Sequence, residues 1–419
     1  MLKNVLRVKL SNNFKRFKIN PNKTVDIESS TCYFLDVPEI PSDSFRSATH
    51  FPTILGRYLC LIPISHDRFR IFSIRTVLSV IALVCQIIMT FLSFCWLKET
   101  GANIFKGGVV LFFGGSAVTM ALLINLSSNW CNLLNKWEQV EGYFGHQKNL
   151  KLKFTFISIL CIIFSMVEHL SYLLTGIITT ERENSHEVFE IYVLKMFPQV
   201  FTVITYNTWL AVLVLIVNSV STLTLCFSDQ IIIMGSLALG NYFEIFNERM
   251  KTHKGKNLTP DQWKTLRVDY TRLCNLARLL NDCVCHLLCV SLLIHVYIIC
   301  VEMHQGVVRT NEHFSLSHYV HAILSFMVSS LRGCLLCLCS VKIYENSKLP
   351  KRSLYEIPQQ SFCNEVDFFL LQIQKDHIGL TGSHMFLMTR RFLLTMFGTI
   401  VSYEILLVQM KGYSSRKNP

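Results

Sequence analysis

The residues able to do chemistry in this chain are polar groups set inside apolar runs. Near the C-terminus, "SYEILLVQM" (Ser402–Met410) puts a Tyr-Glu pair and a Gln into an otherwise apolar segment. Thr395, Gly398, Ser402, Ile405 and Gln409 recur at intervals of 3, 4, 3 and 4, which makes one small-or-polar stripe along a helix. Such a stripe has two readings. Small residues and hydroxyls pack closely against a neighbouring helix, or they form a wall that faces water at membrane depth. Glu404 lies about a right angle or more from the stripe, on the side of Ile400, Val401 and Val408. It is expected to meet another helix as a structural anchor rather than to select ions. Glu168 and Arg332 also fall within apolar runs, where an ionisable side chain needs a partner or water. Arg332 has two candidate roles, bonding ligand hydroxyls or pairing with Glu404.

Other chemistries find less support. Cys283, Cys285, His286 and Cys289 cluster without a familiar zinc spacing, and His318 with His321 is a pair lacking carboxylates. No metal site is expected from either. The sequence contains no Walker loop, no GxSxG and no HExxH, so neither an enzyme nor a cofactor is expected.

The elements that must position these residues are membrane helices. Only 16% of residues are charged and the mean hydropathy is +0.38. Apolar stretches of membrane-spanning length occur near 76–97, 107–127, 154–178, 200–227, 284–303, 320–341 and 392–411. The expected fold is an all-α membrane protein with seven transmembrane helices. Segments 1–75, 128–153, 228–283 and 342–391 hold 12, 4, 8 and 7 of the 40 Lys and Arg residues. The positive-inside rule therefore predicts a cytoplasmic N-terminus and, with seven spans, an extracellular C-terminus, opposite to a G-protein-coupled receptor. The net charge of +12 is then matched by anionic lipid, and no nucleic-acid partner is expected.

The predicted organisation follows from these boundaries. Residues 1–75 form a cytoplasmic segment with no signal peptide, and the short apolar stretch 50–64 reads as an interfacial or re-entrant helix. Spans one to four occupy 76–227, a cytoplasmic helical extension 228–283, spans five and six 284–341, further cytoplasmic helices 342–391, the seventh span 392–411 and an outer tail 412–419. All sixteen cysteines fall in spans or on the reducing side, so free thiols are expected. From Gln199 to Met250 there is no proline, which permits a helix about 75 Å long at 1.5 Å per residue. Its inner part, Pro260–Asp282 and the stretch carrying Val366, Phe369, Leu370 and Ile373 should pack together as a bundle continuous with the spans.

The stretch "GLTGSHMFLMTRRFLLTMFGTIVSYEILLVQM" (Gly379–Met410) resembles the C-terminal signature of insect gustatory receptors, and its "GTIVSYE" is similar to the sugar-receptor clade. "MVEHLSYLL", "FNERM" and "FPTILGRYLCLIPIS" extend the resemblance over most of the chain. The resemblance implies seven helices, an anchor domain made by the cytoplasmic extensions, and tetramers whose seventh helices surround a cation pore. It also implies a ligand pocket in the outer half of each subunit and residence in the cell membrane. The family's Thr-Tyr pair is Ser402-Tyr403 here, and its final Phe is Met410. Ser402, Ile405, Gln409 and Met410 are the implied pore and gate residues. The Met410 departure leaves homo-tetramer and hetero-tetramer both open.

A sugar offers hydroxyl pairs and apolar ring faces, so its site needs carboxylates, amides or imidazoles beside aromatic rings. Glu168, His169, Tyr172, Tyr206, Asn207, Trp209, Tyr297, Glu302, His318 and His321 fall in the predicted outer half. Of these, Glu168, His169, Tyr172, Asn207, Trp209, Tyr297, Glu302 and His321 are the candidate ligand residues. The function implied is a sugar-gated non-selective cation channel. Two alternatives are a non-conducting accessory subunit of a heteromeric receptor and a metabotropic seven-helix chemoreceptor.

Overall fold

Hydropathy sets how long the helices run, and capping side chains set where they begin. The computed structural model describes residues 44–65, 68–69, 73–101, 103–181, 188–253, 256–309, 316–358 and 362–417. The first half runs α1 (Phe45–Tyr58), β1 (Ile64–Ser65), β2 (Arg68–Phe69), α2 (Ile74–Thr100), α3 (Ile104–Phe144), α4 (Leu150–Glu181), α5 (Val188–Met196) and α6 (Pro198–Phe201). The second runs α7 (Thr208–Thr252), α8 (Pro260–Arg309), α9 (Leu316–Lys348), α10 (Pro350–Tyr355), α11 (Asn364–Lys375), β3 (Thr381–Gly382), β4 (Phe386–Leu387) and α12 (Arg390–Lys417). β1 pairs antiparallel with β2, and β3 with β4.

Among the described residues, α2, α3, α4, α7, α8 and α9 are long and apolar enough to cross a membrane. Their outward faces carry exposed Ile, Val, Leu and Phe, for example Ile81, Val84, Ile88 and Phe91 on α2. The last predicted span, 392–411, is helical throughout and lies within α12.

Three helices, α3, α7 and α8, have about twice the residues that a bilayer needs or more. α7 has 45 residues, roughly 68 Å at 1.5 Å each, more than twice a hydrocarbon core of about 30 Å. The sequence permits this helix to start at Gln199, but it starts at Thr208. The Asn207 side chain accepts from the Trp209 N–H at 2.9 Å and so caps a new helix after α6 has ended. α3 runs on through the predicted loop 128–153 as far as Phe144, where Gly145 at φ +81° stops it. The reason is a stripe of Trp130, Leu133, Leu134, Trp137 and Val140, which is buried. α8 joins Pro260–Asp282 to the fifth span without a break, as expected.

The extensions pack into one core with the ends of the spans that they continue. Phe243, Phe246, Tyr270 and Phe369 meet through ring contacts between α7, α8 and α11. Polar side chains then bond across to backbone groups. Asn247 donates to the Asn346 carbonyl, Asn346 to that of Gly240, and Tyr270 to that of Ser347. Residues 50–64 do not stand apart. α1 lies against α3 and α4, with Phe45 stacked on Trp137 at 3.8 Å and the Phe227 ring over Gly56.

Buried Glu141 joins three of these helices. One carboxylate oxygen accepts from the Phe45 N–H at 2.7 Å and from the Tyr242 hydroxyl at 3.0 Å. Glu141→Ala strands both donors and should lower stability by about 1–3 kcal/mol, whereas Glu141→Gln keeps an acceptor and should cost less. Thermal melts of the detergent-extracted variants, followed by size-exclusion fluorescence, check that order.

Candidate functional site

Several of the polar residues predicted for the outer half come together where α4, α7 and α9 meet. His169 faces α7, with Nε2 3.0 Å from the Ser219 hydroxyl and Nδ1 3.4 Å from that of Thr222. Glu168, on the adjoining face of α4, accepts from the Ser325 hydroxyl of α9 at 3.1 Å. One turn outward, the Tyr172 and His321 rings lie 5.7 Å apart, and His321 Nδ1 is 2.9 Å from the Ser171 hydroxyl. Four predicted residues, Glu168, His169, Tyr172 and His321, therefore share one polar seam. It offers a carboxylate, two imidazoles and a phenol, the groups that bond hydroxyls and stack on a sugar ring.

The remaining predicted residues sit elsewhere. Asn207 spends its side-chain oxygen on the α7 cap. Trp209 is 81% exposed on the outer surface of α7, the position of an interfacial aromatic rather than of a pocket wall. The Tyr297 hydroxyl donates to the Ile104 carbonyl, and its ring lies over Gly108, so it ties α8 to the start of α3. Glu302 is half-buried further outward on α8. Tyr206 contacts Phe201, and the His318 side chain lies outside the described residues.

A second polar group was not foreseen. Asp229 of α7, 3% exposed, accepts from the Arg332 guanidinium, from the Ser291 hydroxyl and, at 3.0 Å, from His295 Nε2. Arg332 therefore pairs with Asp229, not with Glu404. Sequence reading placed Asp229 just beyond the fourth span, among cytoplasmic residues. The available signal was the need of Arg332 for an acid on a neighbouring helix.

α12 packs chiefly on α8. Ile400 and Glu404, one turn apart, are buried at 5% exposure each, and Met396 is half-buried on the same side. This is the anchoring face expected of Glu404, whose carboxylate oxygens lack hydrogen-bond partners among the described residues. His304 of α8 is its titratable neighbour. Thr395, Gly398, Ser402, Ile405 and Gln409 are all exposed, so the whole polar stripe faces away from its own chain. The Thr395 and Ser402 hydroxyls donate to the carbonyls of Arg391 and Gly398 within the helix, leaving oxygen lone pairs outward. The Val408 and Met410 side chains lie outside the described residues.

The β3–β4 hairpin precedes α12 and rests on α8. The Ser383 N–H donates to the Cys285 carbonyl at 3.0 Å, His286 Nδ1 lies 3.1 Å from the Ser383 hydroxyl, and Cys285 Sγ is 3.3 Å from His384 Nε2. Two members of the cysteine–histidine cluster thus hold the hairpin.

These features define a mostly helical multi-pass membrane protein with buried polar seams between its spans. The chain belongs to the trehalose receptor family, whose model matches residues 41–418, and with its relatives it falls among the sugar-taste gustatory receptors of insects. It is 27% identical over 307 residues to gustatory receptor for sugar taste 64f of Drosophila melanogaster, covering 72% of this chain and 65% of that one. With gustatory receptor for sugar taste 61a of the same organism it is 24% identical over 395 residues, covering 89% and 90%. The fold is similar to that of the insect olfactory receptor OR5 from Machilis hrabei, with a TM-score of 0.62 at 13% identity over 87% of this chain and 99% of that one.

The ion pair yields a stability prediction. Asp229→Asn or Arg332→Gln alone leaves a buried charge without its partner and should cost about 3–5 kcal/mol. The double variant removes both charges and should recover a large part of that loss. Thermal melts of the three proteins test this, with the double variant expected between the wild type and either single change.

Proposed function

We propose that this chain is a subunit of a sugar-gated, non-selective cation channel in the cell membrane, assembled as a tetramer with four copies of α12 around one pore. The observation that carries the reading is the division of α12 into two faces. Glu404 and Ile400 seat it on α8, while Ser402, Ile405 and Gln409 remain uncovered by the chain's own helices. A lone helix with an outward polar stripe is unfavourable against lipid and favourable around a wet path made with other copies. On this reading α12 is the seventh span, the N-terminus is cytoplasmic and the C-terminus extracellular, in keeping with the distribution of Lys and Arg. Gln409 and Met410 then ring the outer end of the pore.

The sugar occupies the seam of Glu168, His169, Tyr172 and His321. Family membership and the names of the sugar-taste relatives support this ligand class. The resemblance implies a Phe at the gate where this chain has Met410, so both homomeric and mixed assemblies are to be tried.

Cysteine accessibility tests the pore. In the sugar-activated state, cysteines at 402, 405 and 409 should react with outer-side thiol reagents faster than one at 408. Equal rates at all four positions would remove α12 from the pore.

The pocket is tested separately. Glu168→Gln keeps shape and removes charge, and loss of one charged hydrogen bond should raise the half-maximal sugar concentration by ~10–100-fold at unchanged surface expression. A dose–response curve that does not move would exclude Glu168 from the ligand site.

A further inference from the structure

The polar seam and the pore helix are joined by a second stripe, on α9. His321, Ser325, Ser329 and Arg332 recur at intervals of 4, 4 and 3, and Ser325 and Ser329 are buried. The outer end of the stripe meets Ser171 and Tyr172, and its middle donates to Glu168. Its inner end, Arg332, is bonded to Asp229 and lies within electrostatic reach of Glu168. Arg332 thus answers to two carboxylates, one in the sugar seam and one below it.

Asp229 passes the connection onward. It holds His295 Nε2, while His295 Nδ1, on a side chain 6% exposed, has no hydrogen-bond partner among the described residues. The His295 ring lines a small cavity of about 30 Å³ together with Gly333 and Cys334 of α9 and Met396, Phe397 and Ile400 of α12. That is room enough for a water molecule. Gly333 makes the space, since a Cβ there would stand 3.4 Å from the ring.

We propose that Arg332, Asp229 and His295 form a coupling element that carries occupancy of the sugar seam to the pore helix. The argument rests on the sugar-gated channel reading. A ligand hydroxyl on Glu168 competes with Ser325, so the carboxylate shifts with its new donor and the field it exerts at Arg332 changes with it. In a low-dielectric interior such a change is weakly screened, and the Arg332–Asp229 pair re-forms in discrete arrangements rather than by gradual stretching. Any shift of Asp229 moves His295, which lines the gap shared with Met396, Phe397 and Ile400 of α12. His295 acts here as a positioning residue, since it touches neither the sugar seam nor the polar stripe of α12.

Two variants of the full chain test the element, His295→Gln and Gly333→Ala. The second leaves all charges in place and sets a methyl group in van der Waals contact with the ring, filling the space beside it. The probe is whichever of trehalose, sucrose, glucose and fructose evokes the largest wild-type current. Binding is read from sugar-induced thermal stabilisation of the purified protein and gating from the current dose–response curve. In both variants the current midpoint should rise about tenfold while the binding midpoint stays within about threefold of wild type. Equal shifts in both readouts, or none in either, would overturn the coupling role while leaving the channel reading intact. A wild-type chain that binds sugar yet passes no current, alone or with a relative, would remove the channel reading and the coupling element together.

Discussion

A charge inside an apolar helix bundle has to be matched, and the Arg332–Asp229 pair is where this protein meets that constraint. An unpaired ion at such a place costs several kcal/mol, so α7 and α9 are held at the register that brings guanidinium to carboxylate. Ser291 and His295 fix α8 to the same carboxylate. Three of the longest helices in the chain therefore share one point. The extension core lies on continuations of the same helices, with Phe243, Phe246, Tyr270 and Phe369 buried between them.

The two ends of the bundle are built differently. Toward the extensions, aromatic packing and side-chain-to-backbone bonds such as Asn247 to Asn346 leave little freedom. Toward the other end, α4 meets α7 and α9 through hydroxyls and imidazoles, contacts that a polyhydroxylated ligand can replace one for one. α12 is different again, since it leans on α8 and is preceded by a hairpin clasped to Cys285 and His286. A helix held along one face can tilt or rotate at lower cost than one buried on all sides, which suits the gating role proposed for it.

Much of this was legible in the sequence. Of the seven spans that the apolar runs predict, six fall in helices long and apolar enough to cross a membrane and the seventh is helical within α12, where the intervals of 3 and 4 set the exposed stripe apart from buried Ile400 and Glu404. The α11 stripe of Val366, Phe369 and Ile373 is buried as its spacing predicts. What the sequence concealed was pairing between helices, because rotation about a helix axis is set by packing and leaves no local trace. Arg332 had to have a partner, yet nothing nearby in the chain names Asp229, 103 residues away. Side chains that act locally were misread for a related reason: an Asn at a helix start is equally a ligand or a cap, and Asn207 is a cap. The extension of α3 was missed because its Trp and Leu stripe is diluted by Asn, Lys and Glu, which lowers hydropathy without ending a helix.

The central claim is that sugar opens a conduction path formed by the receptor itself. Whole-cell recording during rapid sugar perfusion tests it most directly, with the chain expressed alone and with related receptors, and with a non-hydrolysable GDP analogue in the pipette to silence G proteins. The account predicts a cation current that follows sugar application and is unaffected by the analogue. A sugar response abolished by the analogue would contradict it and favour a metabotropic receptor.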